Sequence, residues 1–175
     1  AVFTDIFPDA VKIGMTSSVD TIEAIAAGLV KYKAKNIVLD PVMVSTSGHR
    51  LIEEDAIASL RTELLPLARV ITPNIPEAEI LLGGRKLSFQ SELPDAAREL
   101  AESSGASVLL KAGHLSEDDL SDIFYDLEDG KCYSLTSKRI HTKTTHGTGC
   151  TMRSAFASKL ATGMSLPEAD QGAKE

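Results

Sequence analysis

Val11-Lys12-Ile13-Gly14, a helical pattern from Ser17 to Tyr32, and Asn36-Ile37-Val38-Leu39-Asp40 follow one another near the start of the chain and set its fold class. A short apolar strand, a helix and a second buried strand, in that order, make a β-α-β unit whose strands run parallel. Asp20 and Glu23 stand at capping-box spacing near the head of that helix. The alternation continues outward along the chain. Ile52 to Leu65 reads as a helix closed by Pro66, Arg69 to Thr72 as a strand, and Ile75 to Leu82 as a short helix before Gly83-Gly84. Leu93 to Ser103 reads as a helix and Ser107 to Lys111 as a strand. Ser121 to Leu127 and Lys131 to Thr136 read as two strands joined by a turn at Asp129-Gly130. A final helix is expected from about Thr148 to Leu160. This order predicts an α/β domain: a mostly parallel central sheet with helices on both faces.

Composition bounds what such a domain does. The 175 residues suit one domain, and no linker, repeat or low-complexity segment divides them. Hydrophobic residues make up 43%, enough for a real core. The net charge of -7 and an aromatic content of 5% argue against nucleic acid as a partner. They also mean that any phosphate ligand is held by local features against an overall repulsive field. The two cysteines, Cys132 and Cys150, have no paired spacing, so a reducing, cytoplasmic setting is expected, with no disulfide framework or zinc site. No apolar run approaches the ~18–20 residues of a membrane helix, so no membrane partner is expected.

In sheets of this kind ligands sit outside the carboxyl ends of the strands. Polar residues from separate strand ends converge there: Met15 and Thr16, Asp40, Asn74 with Glu77, and Lys111 with Gly113 and His114. The run Thr144-Thr145-His146-Gly147-Thr148-Gly149-Cys150-Thr151 leads into the final helix. A glycine-rich turn at a helix N-terminus aims free N–H groups at one point and makes an anion seat. A thiol in that first turn is also easier to ionise.

Each motif carries a plainer reading beside the chemical one. Asp40-Pro41 is a common turn former as well as a carboxylate placed for Mg²⁺. Asn74 and Glu77 have the spacing of a capping box, and Glu77 is equally a second metal-organising carboxylate. Lys111 either reaches solvent or neutralises a triphosphate. His146 lies four residues before Cys150, which raises a Cys–His acyl-transfer pair as a rival to phosphate chemistry.

Together, the stretches Val11-Lys12-Ile13-Gly14-Met15, Asp40-Pro41-Val42-Met43-Val44, Thr72-Pro73-Asn74-Ile75-Pro76-Glu77-Ala78, Leu110-Lys111-Ala112-Gly113-His114 and Thr145-His146-Gly147-Thr148-Gly149-Cys150-Thr151 resemble the hydroxymethylpyrimidine/phosphomethylpyrimidine kinases of thiamine biosynthesis. These are members of the ribokinase-like superfamily, and the stretches occur in the family's order. Cysteine at the end of the Gly-Thr-Gly turn is the branch's own mark, where sugar kinases of the superfamily usually carry aspartate.

The resemblance implies a three-layer ribokinase-like kinase domain over residues 1–175, with ATP and Mg²⁺ as cofactors. It implies phosphorylation of 4-amino-5-hydroxymethyl-2-methylpyrimidine, then of that monophosphate to the diphosphate. By matching positions, Cys150 is the base, and Gly147, Thr148 and Gly149 form the anion hole. Asp40 and Glu77 organise Mg²⁺. Lys111, Asn74, Thr145 and His146 bind nucleotide, and Met15 and Val42 touch the pyrimidine. A homodimer is implied as well.

Some features depart from the family. The chain is expected to begin inside the family's fold, without its first strand and glycine-containing loop, and to stop short of its last helices. Ser45-Thr46-Ser47-Gly48-His49 replaces the usual Ala-Lys-Ser-Gly-Asp, and Arg153 stands where a small residue is usual. Pyridoxal kinase is the nearest rival reading. A non-catalytic nucleotide-binding domain is the rival of another class.

Overall fold

The computed structural model describes residues 2–45, 49–113, 121–136, 148–165 and 168. A short helix, α1 (Val2–Asp5), precedes β1 (Val11–Ile13), α2 (Val19–Lys31) and β2 (Ile37–Leu39). Then come α3 (Glu54–Ser59), β3 (Val70–Ile71), α4 (Ile75–Leu81), α5 (Leu93–Ser104) and β4 (Ser107–Leu110). The hairpin β5 (Ser121–Asp126) and β6 (Lys131–Thr136) and the helix α6 (Thr148–Ala161) complete the order.

The six strands form one sheet in chain order, β1 to β6. β1 through β4 are parallel, and β5 and β6 are antiparallel additions at one edge. Each parallel strand lies beside its successor, so right-handed crossovers carry all the connecting helices to the same face. The packing agrees. Ile22, Ala26 and Leu29 of α2, Ala56 and Ile57 of α3, Ala78 of α4 and Leu93, Ala97 and Leu100 of α5 share one core with Ile13, Leu39, Ile71, Val108 and Leu110. The alternate strand residues Val38, Val70, Leu109 and Phe124 meet Phe156, Ala157 and Leu160 of α6 on the opposite face. Helices thus cover both faces, as the strand–helix alternation predicts, and α6 is the helix packed on the second one among the described residues.

The elements fall close to their sequence-based bounds, with two corrections. The cap of α2 is Ser18, not Asp20: Ser18 is extended (φ -126, ψ 154) and its hydroxyl accepts the Thr21 N–H at 3.4 Å. Asp20 is left inside the first turn, where its charge complements the helix dipole. The helix expected over Ile52–Leu65 begins at Glu54 and does not end cleanly at Pro66. It widens to a π turn over Leu60–Leu64 and tightens to a 3₁₀ turn over Leu65–Leu67. Pro66 has no N–H and its ring crowds the carbonyl four residues back, so regular helix cannot run up to it. The hairpin turn forms as expected, with Gly130 at φ 67 and the Lys131 N–H donating to Asp129 Oδ1 at 2.9 Å. Among the described residues, no helix is long and apolar enough to cross a membrane.

Candidate active site at the carboxyl edge of the sheet

The ladder of the parallel strands continues a step beyond their ends. The Asp40 N–H donates to the Ile13 carbonyl at 2.9 Å, the Thr72 N–H to Leu39 at 3.0 Å, and the Lys111 N–H to Pro73 at 3.0 Å. Asn74 and Lys111 form a parallel bridge. Side chains alternate along a strand. Asp40 follows Val38 by two residues, Thr72 follows Val70, and Lys111 follows Leu109. All three therefore leave the sheet on the face that α6 covers.

Local rules explain how each is held. Asp40 ends a fully buried strand, and its own side chain is fully buried. The Lys111 ammonium, with its side chain 17% exposed, reaches across β3 to within 3.8 Å of Asp40 Oδ1. A buried carboxylate needs such a partner, because desolvating a lone charge is very unfavourable. The Val42 N–H donates back to the Asp40 carbonyl at 2.8 Å and turns the chain sharply after Pro41. Asn74 caps α4. Its Oδ1 accepts the Glu77 N–H at 2.9 Å, and its own N–H donates to Glu77 Oε2 at 2.8 Å. The capping-box reading of this pair is therefore realised, and it keeps the Glu77 carboxylate at the edge in near-complete burial.

The edge thus brings together Asp40, Val42, Asn74, Glu77 and Lys111, with Met15 beside them on the strand end of β1. Val42 is half-buried and Met15 is 61% exposed, so a flat apolar ligand has a flexible thioether to lie against. Thr148, Gly149 and Cys150 form the first turn of α6. Thr145, His146 and Gly147 lie outside the described residues. The sequence reading assigned no role to Thr72. Its hydroxyl is fully buried and has no hydrogen-bond partner among the described residues. The signal was available: a polar residue ends an otherwise apolar strand, at the position matching Asp40.

Two cavities lie away from this edge. One of about 130 Å³ is lined by Arg61, Leu65, Leu81, Leu100 and Ser104 among others. Its guanidinium is already used, donating to the Ile80 and Leu81 carbonyls at 2.7 Å each. The other, about 180 Å³, sits at the opposite end of the strands beside Arg69 and Glu128.

The edge is suited to Mg²⁺ brought in with phosphates. Mg²⁺ prefers oxygen ligands, keeps several waters and takes one or two protein carboxylates beside substrate phosphates. Asp40, a buried carboxylate beside an ammonium, supplies that kind of donor. Among the described residues, no group of three or more His, Cys, Asp or Glu gathers into a metal cage.

The family model described as phosphomethylpyrimidine kinase matches residues 1–175. The chain is 44% identical over 174 residues to a hydroxymethylpyrimidine/phosphomethylpyrimidine kinase of Rhizobium meliloti, covering 99% of this chain and 64% of that protein. It is 47% identical over 174 residues to the thiamine biosynthesis bifunctional protein ThiED of Geobacter sulfurreducens, covering 99% of this chain and 35% of that one. The chain therefore spans between about a third and two thirds of these relatives' length. Among solved structures, a phosphomethylpyrimidine kinase from Clostridium difficile superposes with a TM-score of 0.85 at 39% identity, covering 99% of this chain and 69% of that chain. A Bacillus subtilis pyridoxal kinase in an ADP complex superposes with a TM-score of 0.84 at 38% identity, covering 95% and 62%.

Proposed function

This chain belongs to the phosphomethylpyrimidine kinase family, and from that premise we propose that it forms the kinase domain of an enzyme acting twice on one pyrimidine. ATP phosphorylates the hydroxymethyl group of 4-amino-5-hydroxymethyl-2-methylpyrimidine, and a second ATP converts the monophosphate to the diphosphate. The observation that carries this reading is the buried Asp40 with Lys111 at 3.8 Å, set at the carboxyl edge on the face of α6.

Phosphoryl transfer passes through a loose transition state, so positioning and charge neutralisation do most of the work. In the first step the substrate oxygen bonds to the γ-phosphorus, the bond to the bridging oxygen of ADP breaks, and the hydroxyl proton goes to Cys150. Lys111 and Asn74, with Thr145 and His146, hold the nucleotide. Gly147, Thr148 and Gly149 offer backbone N–H groups to the moving phosphoryl group. Met15 and Val42 pack on the pyrimidine. Asp40 and Glu77 would hold Mg²⁺, directly or through water. When bound, Mg²⁺ neutralises developing charge on the phosphates. In the second step the acceptor is an ionised phosphate, which needs no base.

The same reading extends to residues 1–175 as one ribokinase-like domain, a homodimer and a cytoplasmic or plastid setting; a chloroplastic relative from Arabidopsis thaliana supports the latter option. Incubating the protein with ATP, Mg²⁺ and the pyrimidine alcohol, and following both products, tests the assignment. Formation of monophosphate and then diphosphate supports it, and no transfer to either acceptor refutes it. Pyridoxal phosphorylation is the second reading, favoured by the structural likeness to pyridoxal kinases. Competition between the two acceptors in one assay ranks them. Nucleotide binding without turnover would favour a non-catalytic domain.

A further inference from the structure

Lys12 lies between Val11 and Ile13, both of which pack into the core on the α2–α5 side. Its side chain therefore leaves the sheet on the α6 face, as does Ala10, which packs against the core there. The ammonium does not point away from the edge. A Cβ built on Gly14 would lie 2.9 Å from Lys12 Nζ, so the ammonium rests over that glycine, at the carboxyl end of β1. Ile13 is paired with Leu39, which places Gly14 next to Asp40 across the ladder. Adjacent strands are about 4.8 Å apart, so the ammonium sits one strand from Asp40.

Asp40 thus has a cation on each side: Lys111 from β4 at 3.8 Å, and Lys12 from β1. Lys111 is paired with it. Lys12 is half-buried and has no carboxylate within 4.0 Å among the described residues. The Lys12 ammonium is thus a cation at this edge that no carboxylate of the described residues pairs with directly, on a chain whose net charge is -7. A local cation of that kind, unmatched by protein, is matched by an anionic ligand. An ammonium is also a point charge that suits a phosphate oxygen.

We propose that Lys12 is a phosphate-binding residue, its ammonium seated over Gly14 to receive a phosphate oxygen of a ligand held on the α6 face of the carboxyl edge. The identity of that ligand rests on the kinase reading, under which both the nucleotide and the phosphorylated pyrimidine carry the required group. Gly14 is part of the device, since any side chain there would occupy the place of the ammonium.

Titration calorimetry on the intact protein tests this with a non-hydrolysable ATP analogue, the pyrimidine monophosphate and the uncharged pyrimidine alcohol. Losing one charge-assisted hydrogen bond corresponds to about tenfold or more in affinity. Lys12→Gln is expected to weaken one or both phosphorylated ligands by that factor and to leave the alcohol within about twofold. The arm that weakens tells whether donor or acceptor phosphate is bound. Lys12→Arg should restore most of the loss. Gly14→Ala should show a smaller loss with the same selectivity and an unchanged unfolding midpoint, because only the flexible end of Lys12 has to move. Equal weakening of all three ligands, or no weakening of either phosphate, overturns the proposal. If the parent protein binds neither nucleotide nor pyrimidine, the kinase reading falls, and inorganic pyrophosphate becomes the probe. Pyrophosphate binding that Lys12→Gln abolishes supports the site, and its absence in the parent or persistence in the variant refutes it.

Discussion

Asp40 holds its place in full burial because Lys111 crosses β3 to meet it. Removing one member of a buried pair leaves the other charge uncompensated, typically at about 3 kcal/mol or more. Lys111→Met should therefore lower stability in urea unfolding, by less than that amount because Lys12 remains one strand from Asp40. Adding Asp40→Asn should recover part of it, so the double variant loses less than the two single losses combined. Independent, additive losses would mean that the 3.8 Å contact contributes nothing. Cys150 makes a different prediction, on rate rather than stability. Under the proposed kinase reading Cys150 is a general base, which contributes about 10²–10⁴-fold, and only the alcohol step has a proton to remove. Cys150→Ala should slow the alcohol step by about 10²-fold and the monophosphate step by much less. Separate single-turnover rates on the two acceptors check this, and equal losses would assign the thiol a purely geometric role. Both residues stood out in the sequence, but Asp40 did so with an equally good turn reading beside it. Its pairing became visible only in three dimensions, because Asp40 and Lys111 belong to strands that are not adjacent.

At the scale of elements, α4 shows how a cap and a site share residues. Asn74 and Glu77 satisfy each other's backbone groups at the helix head, and the same exchange keeps the Glu77 carboxylate at the carboxyl edge. Asn74→Ala removes one half of the box and should lower stability by about 1 kcal/mol, measured by thermal unfolding. It should also raise KM for ATP, since the Glu77 N–H loses the Asn74 Oδ1 that fixes this helix head, while the backbone N–H of residue 74 still reaches the Glu77 carboxylate; a stability loss with KM unchanged would leave the box as cap alone. The capping box at this helix was legible because its two residues are three apart in sequence and need nothing else. The cap of α2 was misplaced for the opposite reason. Asp20 and Glu23 have the right spacing, but so do Ser18 and Thr21, whose hydroxyls lie 2.9 Å apart. Which pair begins the helix depends on where the chain leaves β1. The π turn before Pro66 was likewise invisible: proline announces that a helix must change, not how its carbonyls rearrange.

The whole molecule is a sheet with unequal sides. Four crossover helices crowd one face, and α6 returns after the hairpin to cover the other. Phe156 is fully buried against Val38, Val70, Leu109 and Phe124, and it anchors the helix whose first turn carries Gly149 and Cys150. Phe156→Ala should cost about 3–5 kcal/mol, as core truncations of this size do. If α6 positions the anion seat, kcat should fall at temperatures where the variant is still folded. Unfolding curves and turnover measured on the same preparation separate the two effects, and full activity in a destabilised variant would detach α6 packing from the chemistry.

The alternation of strands and helices, and so a mostly parallel sheet with polar residues collected at its carboxyl edge, is written in the order of the residues. Hydrophobic periodicity and capping signals are local, and they survive in one dimension. Tertiary structure alone decided which residues meet at that edge. Strand order and register place Lys111 against Asp40 and seat the Lys12 ammonium over Gly14 beside them. Those meetings depend on side chains from strands far apart in sequence leaving the same face of one sheet, and only the folded ladder sets that.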